Sequence, residues 1–442
     1  MTRGIDTASG RTTRRRIRHD QRSSVAANIA ARVLALASLA VATVLVARVS
    51  GPSGVGVFAL LRVLPGLLGV LLAGGLPTAV AYFLARPSAP ADGGRLRLTI
   101  VTVAGVAGIV GTVIWMGSAP ALTAVFFHDV PVSVVAWAGV TVFTQLLAAT
   151  AKGCSQGLDD LPGSNQVIVF EEFMFLPAYS ALYVFGIRGY ALLIGGLVLA
   201  DVITAAIGWW RLARRGYFRE ASPPSPALAR EVWWYGTRGQ VGGVLSLLNL
   251  RLDFALLGVF AGTAVVGSYA VASKFAELLR LAPLAITYVL YPRFSRHSKA
   301  KVTEEARRLL RPAAGYTAAA AIPLALAAGL ILPLVYGDAF RSAILPAHIL
   351  LVGLAVEGSA GVITAFLYGT GRPGLNSIAM GTGVAVTIVL DIVLIPGYGA
   401  TGAAIASSAA YITSTAVLLA FFWSLTRPRL LSWARPAERG AS

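Results

Sequence analysis

The sequence predicts an all-α polytopic membrane protein, with about twelve transmembrane helices in two pseudo-symmetric six-helix lobes around a central cavity. Three observations predict it. Apolar residues make up 56% of the 442 and charged ones only 13%, at a mean hydropathy of +0.73, which is outside the soluble range. Apolar runs recur along the whole chain, each near the ~20 residues a bilayer core requires. Two short motifs repeat from the first half to the second at almost one offset.

The chain opens with a basic stretch, residues 1–25, that carries Arg11, Arg14, Arg15, Arg16, Arg18 and Arg22. Such a segment is expected to be a disordered cytoplasmic tail held near anionic lipid headgroups. The apolar run behind it is long and has no Ala-x-Ala site at a fitting distance, so it reads as a retained span, not a cleaved signal.

Spans are expected at 26–47, 56–84, 97–117, 131–151, 165–186, 189–210, 234–260, 264–291, 310–335, 344–367, 375–395 and 400–424. Pro65, Pro283, Pro323 and Pro333 lie inside them and are expected to kink or end them. The longest polar break, 211–230, contains Ser222-Pro223-Pro224-Ser225-Pro226, a semi-rigid cytoplasmic linker. It separates an N-terminal lobe (26–210) from a C-terminal lobe (231–425), which is followed by a second cytoplasmic tail, 426–442.

Orientation follows from the basic residues. Loops on the side of the termini hold 28 Lys and Arg, against only Arg48, Arg188 and Arg341 on the other. Both termini are therefore expected in the cytoplasm. The net charge of +18 comes from these loops, so a nucleic-acid partner is not expected.

Val55-Gly56-Val57-Phe58-Ala59 opens the second span and Val266-Gly267-Ser268-Tyr269-Ala270 the eighth. Gly186-Ile187-Arg188-Gly189-Tyr190-Ala191 and Gly399-Ala400-Thr401-Gly402-Ala403-Ala404 form a second pair. Six spans per repeat is an even number, so the lobes insert the same way up, as parallel repeats with a site expected at their interface.

The stretch Ser246–Arg296 is the most informative. Two apolar runs meet at Ala261-Gly262-Thr263-Ala264 and carry Arg251, Asp253, Lys274, Glu277 and Arg280. A charge at membrane depth costs at least a few kcal/mol, about 3 on the lowest scales, and stays only where it faces protein or a wet cavity. The hairpin is therefore read as lining a polar cavity for a charged substrate. Arg32 and Arg62 are candidates for the same cavity from the first half. Pairing of Lys274 with Glu277, of Glu277 with Arg280 and of Asp253 with Arg251 is the structural alternative. Arg238 reads as a headgroup contact. Glu171, Glu172, Asp201, Glu357 and Asp391 also lie at or near membrane depth, so the interior is not net positive by count. Asp201, Glu357 and Asp391 are candidates for H⁺ or Na⁺ coupling.

Several motifs carry a resemblance. They are Gly51-Pro52-Ser53-Gly54-Val55-Gly56-Val57-Phe58, Arg251-Leu252-Asp253, and Val266-Gly267-Ser268-Tyr269 with Lys274, Glu277 and Tyr291-Pro292. Tyr336-Gly337-Asp338-Ala339-Phe340 and the run Leu394-Ile395-Pro396-Gly397-Tyr398-Gly399-Ala400-Thr401-Gly402-Ala403-Ala404 complete the set. In this order they resemble the Wzx-type polysaccharide-biosynthesis flippases of the multidrug/oligosaccharidyl-lipid/polysaccharide (MOP) exporter superfamily. The resemblance implies a bacterial inner-membrane flippase for a polyprenyl-diphosphate-linked oligosaccharide. It also implies membrane lipids and, as candidate partners, a glycan polymerase and glycosyltransferases. The chain departs from the family at Asp391, where Asn is common, which marks the eleventh span for attention.

There is no GxxxxGK[ST], HExxH or GxSxG motif, so no enzyme, cofactor or metal site is expected. Lone Cys154 excludes an intramolecular disulfide framework. Gly369-Thr370-Gly371-Arg372-Pro373-Gly374 reads as a tight turn. The alternatives are a cation-coupled MATE-like multidrug exporter and a non-transporting scaffold for envelope enzymes.

Overall fold

The computed structural model describes residues 6–85, 90–219, 222–296 and 298–426. Side chains before Ala27 and those of 238–250 lie outside the described part. Arg238 and the basic residues of both tails therefore fall outside it too. Among the described residues there are only helices, turns and connecting segments, and no strand.

The helices are α1 (Asp6–Ala73), α2 (Leu76–Leu84), α3 (Pro90–Phe126), α4 (Val132–Trp137), α5 (Val140–Gly157), α6 (Leu161–Phe173), α7 (Phe175–Val184) and α8 (Gly189–Arg214). After the linker come α9 (Pro226–Ala261), α10 (Thr263–Glu277), α11 (Leu281–Phe294), α12 (Lys299–Tyr336), α13 (Ile344–Val356), α14 (Ala360–Gly369) and α15 (Pro373–Thr426). Among the described residues, eight helical segments are long and apolar enough to cross a membrane. Two of these are each a pair of helices joined at a kink, α1 at Gly51 and α15 at Gly399, where the backbone leaves the helical region. Each therefore supplies two crossings. With α9 and the broken helix α10–α11, the described residues accommodate the twelve spans expected. Helix α1 begins at Asp6, so the stretch expected to be a structureless tail is continuous with the first span.

Glycines, more than prolines, place the breaks. Helix continues through Pro65, Pro323 and Pro333, and the second span is interrupted at Gly74 and Gly75, both at positive φ. The eighth span is interrupted by a 3₁₀ turn at Leu278–Arg280 and the tenth by one at Glu357–Ser359. These short 3₁₀ pieces inside long helices re-aim the side chains they carry.

The breaks repeat between lobes. Gly51 (φ 63°) and Gly262 (φ 79°) are 211 positions apart, and Gly186 (φ 85°) and Gly399 (φ 51°) are 213 apart. At the opposite end, Asp159 (φ 57°) and Gly371 (φ 73°) are 212 apart. Just after them, Pro162-Gly163 and Asn165 echo Pro373-Gly374 and Asn376. A positive φ is costly for any residue with a Cβ, so Asp159 is the strained member of its pair. Asp160 next to it is buried and caps α6 by accepting from the Gly163 amide at 3.1 Å. It also binds Arg211 (2.9 Å) and Arg215 (3.1 Å) at the end of α8.

The hydrophobic cores show where the lobes join. One cluster runs through Val46, Phe58, Phe175 and Leu193 of the first lobe into Phe254, Tyr269, Leu350 and Tyr411 of the second. Toward the basic end the packing divides. One cluster holds Leu76, Ile100, Cys154 and Tyr217, and a separate one holds Phe294, Val362, Phe366 and Phe422. The lobes are thus welded at the end poor in Lys and Arg and carry independent cores at the basic end. Arg48 adds a tie at the welded end, donating to the carbonyls of Val335 (2.9 Å) and Leu334 across the lobe boundary. The base of α9 crosses the division, because Val232 packs in the first-lobe cluster and Tyr235 stacks on Tyr82 at 4.2 Å.

Candidate functional site

Lys274 sits three residues before Glu277 on α10, one helical turn apart, and its Nζ reaches Glu277 Oε2 at 3.0 Å. The other oxygen of Glu277 faces Arg251 on α9 at 3.8 Å and accepts from Ser273 at 3.3 Å. The Arg251 guanidinium also lies 5.6 Å over the Phe254 ring. Arg280 does not join Glu277 as the i,i+3 spacing suggests. The 3₁₀ turn aims it at Glu357, 77 residues further on, at 2.9 Å, with its guanidinium 5.1 Å over the Tyr411 ring. Gly361 makes this approach possible, since a Cβ there would stand 2.3 Å from the Pro283 carbonyl oxygen. Glu357, which has no basic neighbour in sequence, thus obtains one by packing, although its Oε2 is buried without a partner among the described residues.

Asp253 does not pair with Arg251. Only 3% of it is exposed, and it accepts hydrogen bonds from the Tyr269 hydroxyl, the Ser407 hydroxyl at 3.2 Å and the Phe254 amide at 2.8 Å. It is enclosed among spans seven, eight and twelve and does not line an open wall. Asp391 is fully buried, and neither carboxylate oxygen has a partner among the described residues. The nearby Thr387 hydroxyl, one turn earlier on the same helix, is also without one.

In the first lobe, Arg62 binds Glu172 of α6 at 2.5 Å. Lys152 of α5 holds Glu171 at 2.8 Å. Asp201 accepts from the Gln145 amide at 3.1 Å. These six residues, with small residues such as Gly66, Gly69, Ala148 and Ala149, line a cavity of about 420 Å³. Arg32 is exposed, and its Nε donates to Asn28 at 3.1 Å; it is apart from both clusters.

Sequence reading named Arg62, Arg251, Lys274, Glu277, Arg280, Asp201 and Glu357, and packing joins them as two cross-helix groups. It missed Gln145, Lys152, Tyr269 and Ser407. A lone amide in the apolar fourth span was the one visible signal for Gln145. Tyr269 and Ser407 look like ordinary span residues until Asp253 is seen between them. Cys154 is buried against the Tyr217 hydroxyl at 3.3 Å, consistent with a packing role. Among the described residues no group of His, Cys, Asp and Glu could hold a metal ion.

Residues 23–298 match the polysaccharide biosynthesis protein family. A curated relative, the probable low-salt glycan biosynthesis flippase Agl15 of Haloferax volcanii, is 22% identical over 227 residues. That match spans 50% of this chain and 47% of the relative, about half the length of each. The fold is shared with the lipid II flippase MurJ in an inward closed conformation, with a TM-score of 0.71, 14% identity, and 91% of this chain and 89% of that one covered. An inward-facing MATE multidrug resistance transporter of the MOP superfamily superposes with a TM-score of 0.68 at 17% identity, covering 90% and 97%.

Proposed function

Because the chain belongs to the polysaccharide biosynthesis protein family, we propose that it moves a polyprenyl-diphosphate-linked oligosaccharide from the inner to the outer leaflet of a bacterial cytoplasmic membrane, for cell-surface polysaccharide synthesis. The observation that carries this reading is the set of three cations on the second lobe, Arg251 and Lys274 on Glu277 and Arg280 on Glu357, inside a membrane-spanning bundle. A diphosphate head cannot cross hydrocarbon alone, whereas its prenyl tail can stay in lipid. Arg offers phosphate oxygens a planar fork of donors and Lys a mobile point charge. In the resting site Glu277 and Glu357 pair with these cations, and an anionic head exchanges with the carboxylates.

The separate cores at the basic end support a cleft open to the cytoplasm in this conformation, if the basic end lies there as the positive-inside rule requires. Alternating access then closes that end and parts the welded one. Asp391, fully buried and with neither carboxylate oxygen partnered among the described residues, is the residue best suited to take up H⁺ or Na⁺ and couple it to this movement.

The test is transport of a fluorescent polyprenyl-diphosphate glycan in proteoliposomes. Arg251→Ala and Lys274→Ala are expected to abolish it while detergent melting confirms that both remain folded. Undiminished transport in both rejects the reading. It would favour a cation-coupled drug exporter, the alternative to which acidic Glu171, Glu172 and Asp201 in the first-lobe cavity are suited.

A further inference from the structure

The two lobes offer a substrate different chemistry. On the second, the ion-paired set of Arg251, Lys274 and Arg280 with Glu277 and Glu357 carries one positive charge in excess, while Asp253 and Asp391 of the same lobe are enclosed. The first-lobe cavity has the reverse balance, with Glu171, Glu172 and Asp201 against Arg62 and Lys152. Its cations are already held, Arg62 by Glu172 at 2.5 Å and Lys152 by Glu171 at 2.8 Å. Among the described residues, Asp201 is bound through the Gln145 amide and has no cation of its own. A second anion entering here meets a net negative wall, while a neutral ligand rich in hydroxyls meets carboxylate lone pairs and an amide that accept and donate. Beside Pro65, Val142 and Leu146, much of the remaining wall is small, with Gly66, Gly69 and Ala149 among its residues, and these short side chains leave room for a bulky ring. At about 420 Å³ the space falls within the range that small-molecule sites occupy, roughly 300–1,000 Å³.

From this charge division we infer that the first-lobe cavity is a neutral-sugar subsite, holding the glycan while the second lobe holds the diphosphate. The inference rests on the lipid-linked substrate proposed above and adds which wall reads which part of it. Gln145 is a positioning contact for sugar hydroxyls, sharing Asp201 with them. The glycan thereby selects among lipids that all carry the same phosphate head.

The full-length protein in nanodiscs would be titrated with two probes, undecaprenyl diphosphate and the same lipid carrying one N-acetylglucosamine. The wild type is expected to bind the glycosylated probe about tenfold more tightly, a difference one or two good hydrogen bonds can supply. Gln145→Leu and, independently, Ala149→Trp, which fills the space, are expected to erase that difference and leave bare-lipid affinity within about twofold. Lys274→Ala should weaken both probes alike. Equal loss on both probes in the cavity variants, or no preference in the wild type, overturns the sugar subsite alone. Failure of the wild type to bind either probe overturns the lipid-diphosphate reading and this inference with it.

Discussion

Gly56 of the second span and Gly267 of the eighth lie back to back where the lobes cross. A Cβ on Gly56 would come 1.8 Å from the carbonyl oxygen of Thr263, and one on Gly267 would come 1.9 Å from that of Pro52. Pro52 and Thr263 are 211 positions apart, as are the two glycines, so each contact is the other's image under the internal repeat. The pseudo-two-fold axis therefore passes between them. The sequence echo that suggested two matched lobes is also the place where those lobes touch backbone to backbone.

That contact leaves no room for a methyl group on either side. Gly56→Ala and Gly267→Ala are each expected to lower stability by about 1–3 kcal/mol, as overpacking does. Gly105→Ala, at a helix position with nothing within 4 Å, should be neutral or stabilising. Thermal melting of the three purified variants checks this. An unshifted melt for Gly267→Ala would falsify the close crossing.

Arg280 and Glu357 form the tie between the eighth and tenth spans. Removing one partner strands the other inside the bundle, so Glu357→Ala and Arg280→Ala should each cost about 1–3 kcal/mol. The double variant Arg280→Met with Glu357→Leu should lose less than the sum, because no charge is stranded. A double-mutant cycle on melting free energies reads the coupling, and strict additivity would rule out the pair.

Asp160 lies outside the spans, between α5 and α6. Burial opposes its ionisation, but Arg211, the Gly163 amide and Arg215 together hold its carboxyl below the ordinary range. A folded-state value below the unfolded one makes its contribution complete above about pH 4, the ordinary carboxylate value. The contribution is then lost as pH falls through the lower folded value. Asp160→Asn should therefore melt earlier than wild type at neutral pH, and the gap should narrow on acidification. A gap that is constant from pH 7 to roughly pH 3 would contradict the charge-assisted latch.

Asp391 is expected to matter for coupling more than for folding. Asp391→Asn keeps the volume and removes the ionisable group, so the protein should fold and bind substrate but lose its dependence on a proton or sodium gradient. Transport by the variant in vesicles with and without each imposed gradient checks this. An unchanged gradient response removes Asp391 from the coupling scheme.

Much of the architecture was legible in the sequence because membrane burial writes itself in composition. Twelve apolar runs, the basic loops between them and the paired glycine motifs need no tertiary information. The exact pairing of charges was not legible, since helical spacing proposes only neighbours on the same helix. Lys274 with Glu277 is such a pair and was readable. Arg280 with Glu357 and Arg62 with Glu172 join helices distant in sequence, and no local pattern announces them. The repeat at Asp159 and Gly371 escaped for a related reason. A shared backbone conformation need not be a shared residue type.

The sequence by itself determined that this chain crosses a membrane about twelve times, in two matched halves, with ionised groups that must avoid lipid. Only the tertiary structure decided which of those groups face one another, that Asp253 and Asp391 are enclosed, and that sugar-sized space lies in the first lobe. The physical reason is one of range. Hydrophobic transfer acts residue by residue and is written along the chain, whereas ion pairs and cavities depend on how whole helices pack.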